Sequence, residues 1–219
     1  MVWLEELHGR NVMQTSNEYE LAWWNEGKEY IVGMDEAGRG PLAGPLVVAA
    51  VRFPKNYQHE GIYDSKKVSE KKREEMFEII KSEALEYYIQ IVTPKEIDEL
   101  NIYRATQKAM EDLSLKFEHV DGILTDAMPL PNVTKDVLSI VKGDQKSVSI
   151  AAASILAKVT RDRIMKEYDE LYPEYGFKNH KGYGTKKHLE AIEKYGVLDI
   201  HRESYGPVAK KKLEQLKLF

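Results

Sequence analysis

Two adjacent carboxylates, Asp35 and Glu36, close an apolar run and lead directly into Ala37, Gly38, Arg39, Gly40 and Pro41. Unpaired charge near a core is costly, so something must offset it. The two glycines permit positive φ and close approach of backbone to a ligand, and a cation beside a phosphate fits the whole stretch. An acidic strand end before an ordinary turn is the plain alternative for a bare Asp-Glu pair. Two more acids repeat the pattern. Asp126 follows Gly122-Ile123-Leu124-Thr125, and Asp144 follows Ile140-Val141-Lys142-Gly143. Singly, Asp126 reads as a turn residue before Pro129 and Asp144 as a solvated loop acid. Together they match the way α/β sheets gather strand ends into one crevice.

The elements that must position these acids are legible from pattern. The segment from Tyr30 to Met34 reads as a buried strand, and a second, about 45–53, follows closely enough to pair antiparallel with it. Residues 17–27, with Trp23 and Trp24, read as a short helix whose aromatic pair packs on the domain. Ser69 to Ala84 reads as an amphipathic helix and Tyr87 to Val92 as a strand, while Thr93-Pro94-Lys95-Glu96 has capping-box spacing. Helix is expected over about 103–117 and strands at about 122–126 and 137–142. A long helix follows from Ser149 to Leu171, ended by Pro173. After a loop from Pro173 to Gly184 come a helix near 185–195, stopped by Gly196, and a last helix from about 207. The alternation gives an α/β domain with a mixed sheet.

The chain has 219 residues and a net charge of −4, with no cysteine. Disulfides and thiolate metal sites are excluded, and a reducing compartment, by default the cytoplasm, is expected. Met1 to Arg10 contains Glu5 and Glu6 and lacks a signal-peptide apolar core, and no stretch is apolar enough for a membrane span. Charge is split along the chain. Residues 1–153 carry 18 basic and 26 acidic groups and residues 154–219 carry 14 and 10, so a polyanion would meet the C-terminal third.

Beyond Asp144, Ser149-Ile150-Ala151-Ala152-Ala153-Ser154-Ile155-Leu156-Ala157-Lys158 presents a small face that would lie very close to the sheet or to a nucleic-acid backbone. Joined to the DEAGRGP stretch, the DSKK run at Asp64 to Lys67, Asp126, Gly143-Asp144, Lys158-Val159-Thr160-Arg161-Asp162, Gly182-Tyr183-Gly184-Thr185, His188 and His201-Arg202, this resembles type II ribonuclease H over residues 30–208. The resemblance implies a ribonuclease H fold, a five-stranded mixed sheet flanked by helices with a C-terminal helical part. It divides the chain into an N-terminal helical extension (1–28), a catalytic domain (29–172) and a C-terminal helical region (173–219). It also implies endonucleolytic cleavage of RNA in RNA–DNA hybrids and at single ribonucleotides embedded in duplex DNA, leaving 3′-hydroxyl and 5′-phosphate ends.

The catalytic and metal-binding set implied is Asp35, Glu36, Asp126 and Asp144. Physics agrees, since like charges about 4 Å apart repel by roughly 4 kcal/mol at an effective dielectric near 20, and crowded acids therefore demand cations. All-oxygen ligands select Mg²⁺ or Mn²⁺ over zinc, and a two-metal hydrolysis is expected. Only the 2′-hydroxyl marks RNA at a given sugar. The resemblance assigns its reading to Gly38, Arg39, Gly40 and Tyr183, which separates this chain from type III ribonuclease H. Lys66, Lys142, Lys146, Lys158, Arg161 and Lys181 are candidate phosphate contacts, each a solvated surface charge when taken alone. His180, His188 and His201 are expected to be structural. Val68 stands where leucine is usual, and His201-Arg202-Glu203-Ser204-Tyr205 replaces a form ending in phenylalanine.

The closing QLKLF resembles the short peptide by which bacterial replication proteins bind the sliding clamp, with Gln215, Leu216, Leu218 and Phe219 as its contacts. A last helix burying Leu213, Leu216 and Phe219 by ordinary periodicity explains the same residues equally well. Two other functions fit parts of the pattern. A transposase, integrase or junction resolvase would share the acids but has no use for Gly-Arg-Gly and a sugar-reading tyrosine. A clamp-associated binding module would explain the tail but not four strand-end acids.

Overall fold

The computed structural model describes residues 15–216. Residues 1–14 of the N-terminal segment, and Leu218 and Phe219 of the tail, lie outside them. Strands β1 (Ile31–Ala37) and β2 (Leu46–Arg52) are buried on both faces, which is why each reads as a nearly continuous apolar run. They pair antiparallel, as their short connection requires, and β3 (Glu86–Val92) adds antiparallel to β2. On the other side β4 (Gly122–Asp126) runs parallel to β1, and β5 (Asp136–Ile140) parallel to β4. The mixed sheet thus has the order β3-β2-β1-β4-β5.

Helices cover both faces. Helices α3 (Pro94–Leu100) and α4 (Ile102–Ser114) supply Ile97, Ala105, Ala109, Met110 and Leu113 to a core with Val32, Met34, Leu46, Val48 and Ala50. Helices α2 (Glu70–Glu83) and α5 (Val148–Leu171) cover the opposite face through Met76, Phe77, Ile80 and the alanines of α5, against Val47, Ala49 and Val51. The period-2 split of β2 between the two cores is the alternation a strand imposes. The small face of α5 does lie against the sheet: a Cβ on Gly33 of β1 would collide with the backbone of Ser149 and Ile150.

Several boundaries follow local chemistry. Ser69 caps α2, and Thr93 and Glu96 form the reciprocal capping box of α3. Asn101, at φ 64°, ends α3 and caps α4, so the second helix begins at Ile102 and closes at Ser114, matching the expected 103–117 apart from its last turn. Strand β5 stops at Ile140, two residues short of its expected end, because Lys142 turns left-handed at φ 58° and opens a 3₁₀ turn, Gly143–Gln145. The loop after Pro173 contains a one-turn helix, α6 (Phe177–His180), between left-handed Gly176 and Lys181.

Helix α1 (Glu18–Asn25) docks on the sheet through Trp24, packed with Ile31, Leu124, Ile140 and Ile150. At the far end, α7 (Lys186–Tyr195) and α8 (Gly206–Leu216) build a further core around Leu42, Ala43, Met165 and Phe177. This C-terminal part grips the turn that follows β1, which places Tyr183 and Arg202 beside the Gly-Arg-Gly segment.

Candidate active site

The parallel pairing of β1 and β4 carries both strands to a common C-terminal edge, with Met34 opposite Thr125. One step further on, Asp35 and Asp126 stand side by side. The Gly143 N–H donates to the Asp126 carboxylate (2.9 Å), tying the end of β4 to the 3₁₀ turn that presents Asp144. Carboxylate oxygens of Asp35, Asp126 and Asp144 all lie within 4.8 Å of one another. Glu36, the next residue of β1, is not part of that triad but lies in the field of Asp126, and it pairs with Arg39 at 3.4 Å.

This cluster is electrostatically uncomfortable as it stands. Burial, then the charges of Glu36 and Asp126, push the Asp35 carboxyl well above the usual range, against hydrogen bonds from the Glu36 N–H and Ser154. Glu36 is raised to about 7 by burial despite Arg39, and Asp144 to about 6 by burial together with Asp64 and Asp126. The Oε2 atom of Glu36 is buried with no hydrogen-bond partner. An orphaned carboxylate oxygen beside three converging carboxylates is what a divalent cation would satisfy, and a donor set of oxygen alone suits Mg²⁺ or Mn²⁺.

Asp35 and Glu36 line a cavity of about 480 Å³ with Gly38, Arg39, Gly40, Lys66, Lys158 and Tyr183. The structure therefore brings Asp35, Glu36, the Gly-Arg-Gly segment, the tyrosine and two of the lysines onto one space, with Asp126 and Asp144 reaching it only through their contact with Asp35. A larger cavity of about 580 Å³, lined by Tyr30, Leu115, Phe117, His119 and Asn132 among others, contains none of the residues singled out from sequence. Gly38 adopts φ +101°, and a Cβ there would collide with the Arg161 side chain, so glycine is required on two counts. Tyr183 is half exposed, and its ring lies at ordinary contact distance, 3.5 Å, from where a Gly40 Cβ would stand.

A chain of neutral imidazoles supports Tyr183 from behind. The Leu198 N–H donates to His201 Nδ1 (3.0 Å), so His201 carries its proton on Nε2 and donates to His188 Nε2 (3.1 Å). His188 in turn donates from Nδ1 to the Tyr183 carbonyl (3.0 Å). Burial lowers both histidines to about 4. These are the structural roles expected of His188 and His201.

The cations divide. Lys158 lines the cavity while paired with Asp162 at 2.6 Å. The Lys66 ammonium stands in the field of Asp144, Asp35, Asp64 and Asp126, which together outweigh its partial burial and raise its pKa. Lys142 and Lys146 are exposed and line no part of this cavity, and Lys181 lends its carbonyl to Arg161. Arg161 is a correction. It borders the cavity but is only 1% exposed and donates to the carbonyls of Pro45, Lys181 and Ala43, so its guanidinium is committed to the backbone and not free as a surface phosphate contact. Helical periodicity could not show this, because its partners are backbone atoms far away in sequence.

Sequence reasoning missed three contributors. Asp64 is buried next to Asp144 and accepts from Gln145 Nε2 (3.2 Å) and the Lys66 N–H (2.9 Å), yet it was read only as the start of a lysine-containing run. Ser154, one small residue among many in α5, backs Asp35 and bonds Ser65 (2.9 Å). Arg202 is fully buried beneath the Gly-Arg-Gly turn. In the tail, Gln215 Oε1 accepts from the Val197 N–H (3.2 Å), and Leu216 is 63% exposed.

A family profile described as Ribonuclease HII matches residues 32–208. The ribonuclease HII of Clostridioides difficile is 57% identical over 194 residues, covering 88% of this chain and 76% of that protein. The solved ribonuclease H2 of Pyrococcus horikoshii has a TM-score of 0.73 at 27% identity, covering 86% of this chain and 99% of that one. The structure of a PCNA:RNase HII complex from Archaeoglobus fulgidus gives 0.69 at 27% identity, covering 81% and 95%. A profile match across most of the chain, together with high identity to a bacterial relative, shows that this chain belongs to the ribonuclease HII family of metal-dependent hydrolases that cut RNA within RNA–DNA duplexes.

Proposed function

We propose that, within this ribonuclease H activity, the chain nicks duplex DNA on the 5′ side of a single embedded ribonucleotide as well as cutting longer hybrids, leaving 3′-hydroxyl and 5′-phosphate ends. The observation that carries the reading is the shared cavity, where Asp35 and Glu36 face the same space as Gly38, Arg39, Gly40 and Tyr183. Asp35, Glu36, Asp126 and Asp144 hold the metal. Bound Mg²⁺ or Mn²⁺, as a pair, supplies Lewis-acid stabilisation of the charge that develops on the phosphate and the departing oxygen. The chain's own residues do the rest. Asp126 fixes the turn that carries Asp144, through Gly143. Lys66 and Lys158 meet the phosphates that flank the cut, which positions the duplex without reading its sequence. The Gly-Arg-Gly backbone and the Tyr183 phenol hydrogen-bond the 2′-hydroxyl, and the tyrosine ring packs on the next sugar.

The test is a DNA duplex containing one ribonucleotide, incubated with Mg²⁺ or Mn²⁺ and mapped for the nick. Cleavage at the ribonucleotide's 5′ phosphate is expected, and an intact duplex beside efficient cleavage of a continuous hybrid would refute the junction reading.

The sliding clamp is the proposed protein partner, through Gln215, Leu216, Leu218 and Phe219. The archaeal relative solved with PCNA supports a partner of this class. Removing residues 215–219 should abolish clamp retention in a pull-down while leaving cleavage of short duplexes unchanged. No helix among the described residues is long and apolar enough to cross a membrane. The absence of cysteine supports a cytoplasmic setting.

A further inference from the structure

We infer that Arg202, assisted by Tyr205, is a positioning residue that aims the backbone N–H groups of Arg39 and Gly40 at the ribose, and so sets the discrimination of a lone ribonucleotide. This rests on the proposed role of Gly-Arg-Gly in reading the 2′-hydroxyl.

The geometry is specific. From beneath the turn, the buried guanidinium donates to the carbonyl of Gly38 (Nη2, 2.6 Å), that of Arg39 (Nη1, 3.0 Å) and that of Gly44 (Nε, 3.1 Å). The Tyr205 hydroxyl receives a bond from Arg202 (3.1 Å) and donates a second to the Arg39 carbonyl (2.7 Å). No peptide here is cis. In a planar trans peptide the C=O and the following N–H point to opposite sides. Drawing the carbonyls of Gly38 and Arg39 down onto Arg202 therefore turns the N–H groups of Arg39 and Gly40 away from it. Among the described residues neither N–H has an acceptor, and both residues are exposed and line the cavity that Asp35 and Glu36 share.

Arginine suits this task because its planar fork of donors spans three carbonyls from two arms of one loop, whereas lysine is a single point of charge on a flexible stem. Arg202 is also held at its own backbone, where its N–H donates to the Leu42 carbonyl (2.8 Å). Neither Arg202 nor its neighbour Arg161 has a carboxylate at ion-pair distance among the described residues. Their partners are uncharged oxygens, backbone carbonyls for both and the Tyr205 hydroxyl besides for Arg202, so their charge adds to the attraction of the cavity for a polyanion.

The two substrates of the enzyme should respond differently. In a continuous hybrid a slight misalignment of the loop still meets some 2′-hydroxyl, because each neighbouring sugar has one. A lone ribonucleotide offers a single sugar, and a misaimed N–H then finds nothing.

The experiment compares kcat/KM on a duplex with one ribonucleotide and on a continuous hybrid, for wild type, Arg202→Lys and Tyr205→Phe, with melting temperature and Mn²⁺ affinity measured on each protein alone. Arg202→Lys should lower the single-ribonucleotide value at least about tenfold more than the hybrid value, with Mn²⁺ affinity unchanged, as expected when buried polar groups of a recognition site lose their alignment. Tyr205→Phe, which removes one hydroxyl and leaves the fold intact, should shift the same ratio about threefold. An equal fall on both substrates in both variants, or an unchanged ratio, would overturn the inference and reduce Arg202 to a structural prop. Should Arg202→Lys fail to fold, Tyr205→Phe decides alone. Failure of the wild type to cut the lone ribonucleotide would instead count against the reading of Gly-Arg-Gly itself.

Discussion

At the C-terminal edge of β1 and β4, Asp35, Asp126 and Asp144 converge with Glu36 close by, a crowd of acids that the chain does not fully satisfy. Behind the Gly-Arg-Gly turn, Arg161 and Arg202 bury positive charge, yet both guanidinium groups are matched to uncharged oxygens, mostly backbone carbonyls. The acidic cluster is left incomplete by the fold, and a divalent cation would finish it. The arginine pair is finished by the fold and lends its order to a loop. Machinery that must bind metal has to keep unmet demand, whereas machinery that must recognise a sugar has to be rigid before the sugar arrives.

If that contrast holds, neutralising a single acid should act oppositely on catalysis and on stability. Asp35→Asn is expected to lower kcat by at least about 10³-fold, the equivalent of roughly 4 kcal/mol of transition-state stabilisation. The same change should raise the melting temperature of the metal-free protein, because it removes one of the repelling charges. A variant that both turned over normally and melted like wild type would break the contrast at its strongest point.

The arginine pair should behave in reverse. Arg161→Met strands three buried carbonyls, those of Pro45, Lys181 and Ala43, and is expected to cost about 3 kcal/mol of stability in a denaturant titration. Added Mg²⁺ should not restore it.

The smallest and most diagnostic effect is in pH. The folded pKa values of Glu36 and Asp144, about 7 and about 6, lie above their ordinary 4.5 and 3.8. The native state therefore holds protons that the unfolded chain releases. The stability they contribute is full below about pH 4 and is lost as pH rises through 6 to 7 in metal-free protein. His188 and His201 titrate the other way. Held near 4 against an ordinary 6.5, they contribute stability above pH 6.5 that is lost as pH falls toward 4. Protonating either ring would put two donors face to face in the chain leading to Tyr183. Melting curves from pH 4.5 to 8, with and without Mn²⁺, separate the two. The metal should flatten the alkaline slope and leave the acid slope unchanged.

Most of the site's chemistry was open to inspection before any coordinates. Asp35, Glu36 and Asp126 announce themselves because they end buried apolar strands, and Asp144 because it follows the apolar Ile140-Val141, although it sits in the 3₁₀ turn beyond β5. Element boundaries were readable wherever a side chain makes the cap, as at Ser69 and Thr93, and shifted where a non-glycine residue turns left-handed, as at Asn101 and Lys142. Asp64 escaped because an acid beside lysines looks solvated until the sheet folds it against Asp144.

By itself, then, the sequence determined which groups could bind metal and read a sugar, since those properties belong to side-chain type and to short-range pattern. Only the tertiary structure decided which cations face the substrate and which are spent inside. Arg161 and Arg202 look like surface charges in any window of sequence. Most of their partners are backbone carbonyls more than a hundred positions away, in residues of any type, so nothing in the letters could mark them.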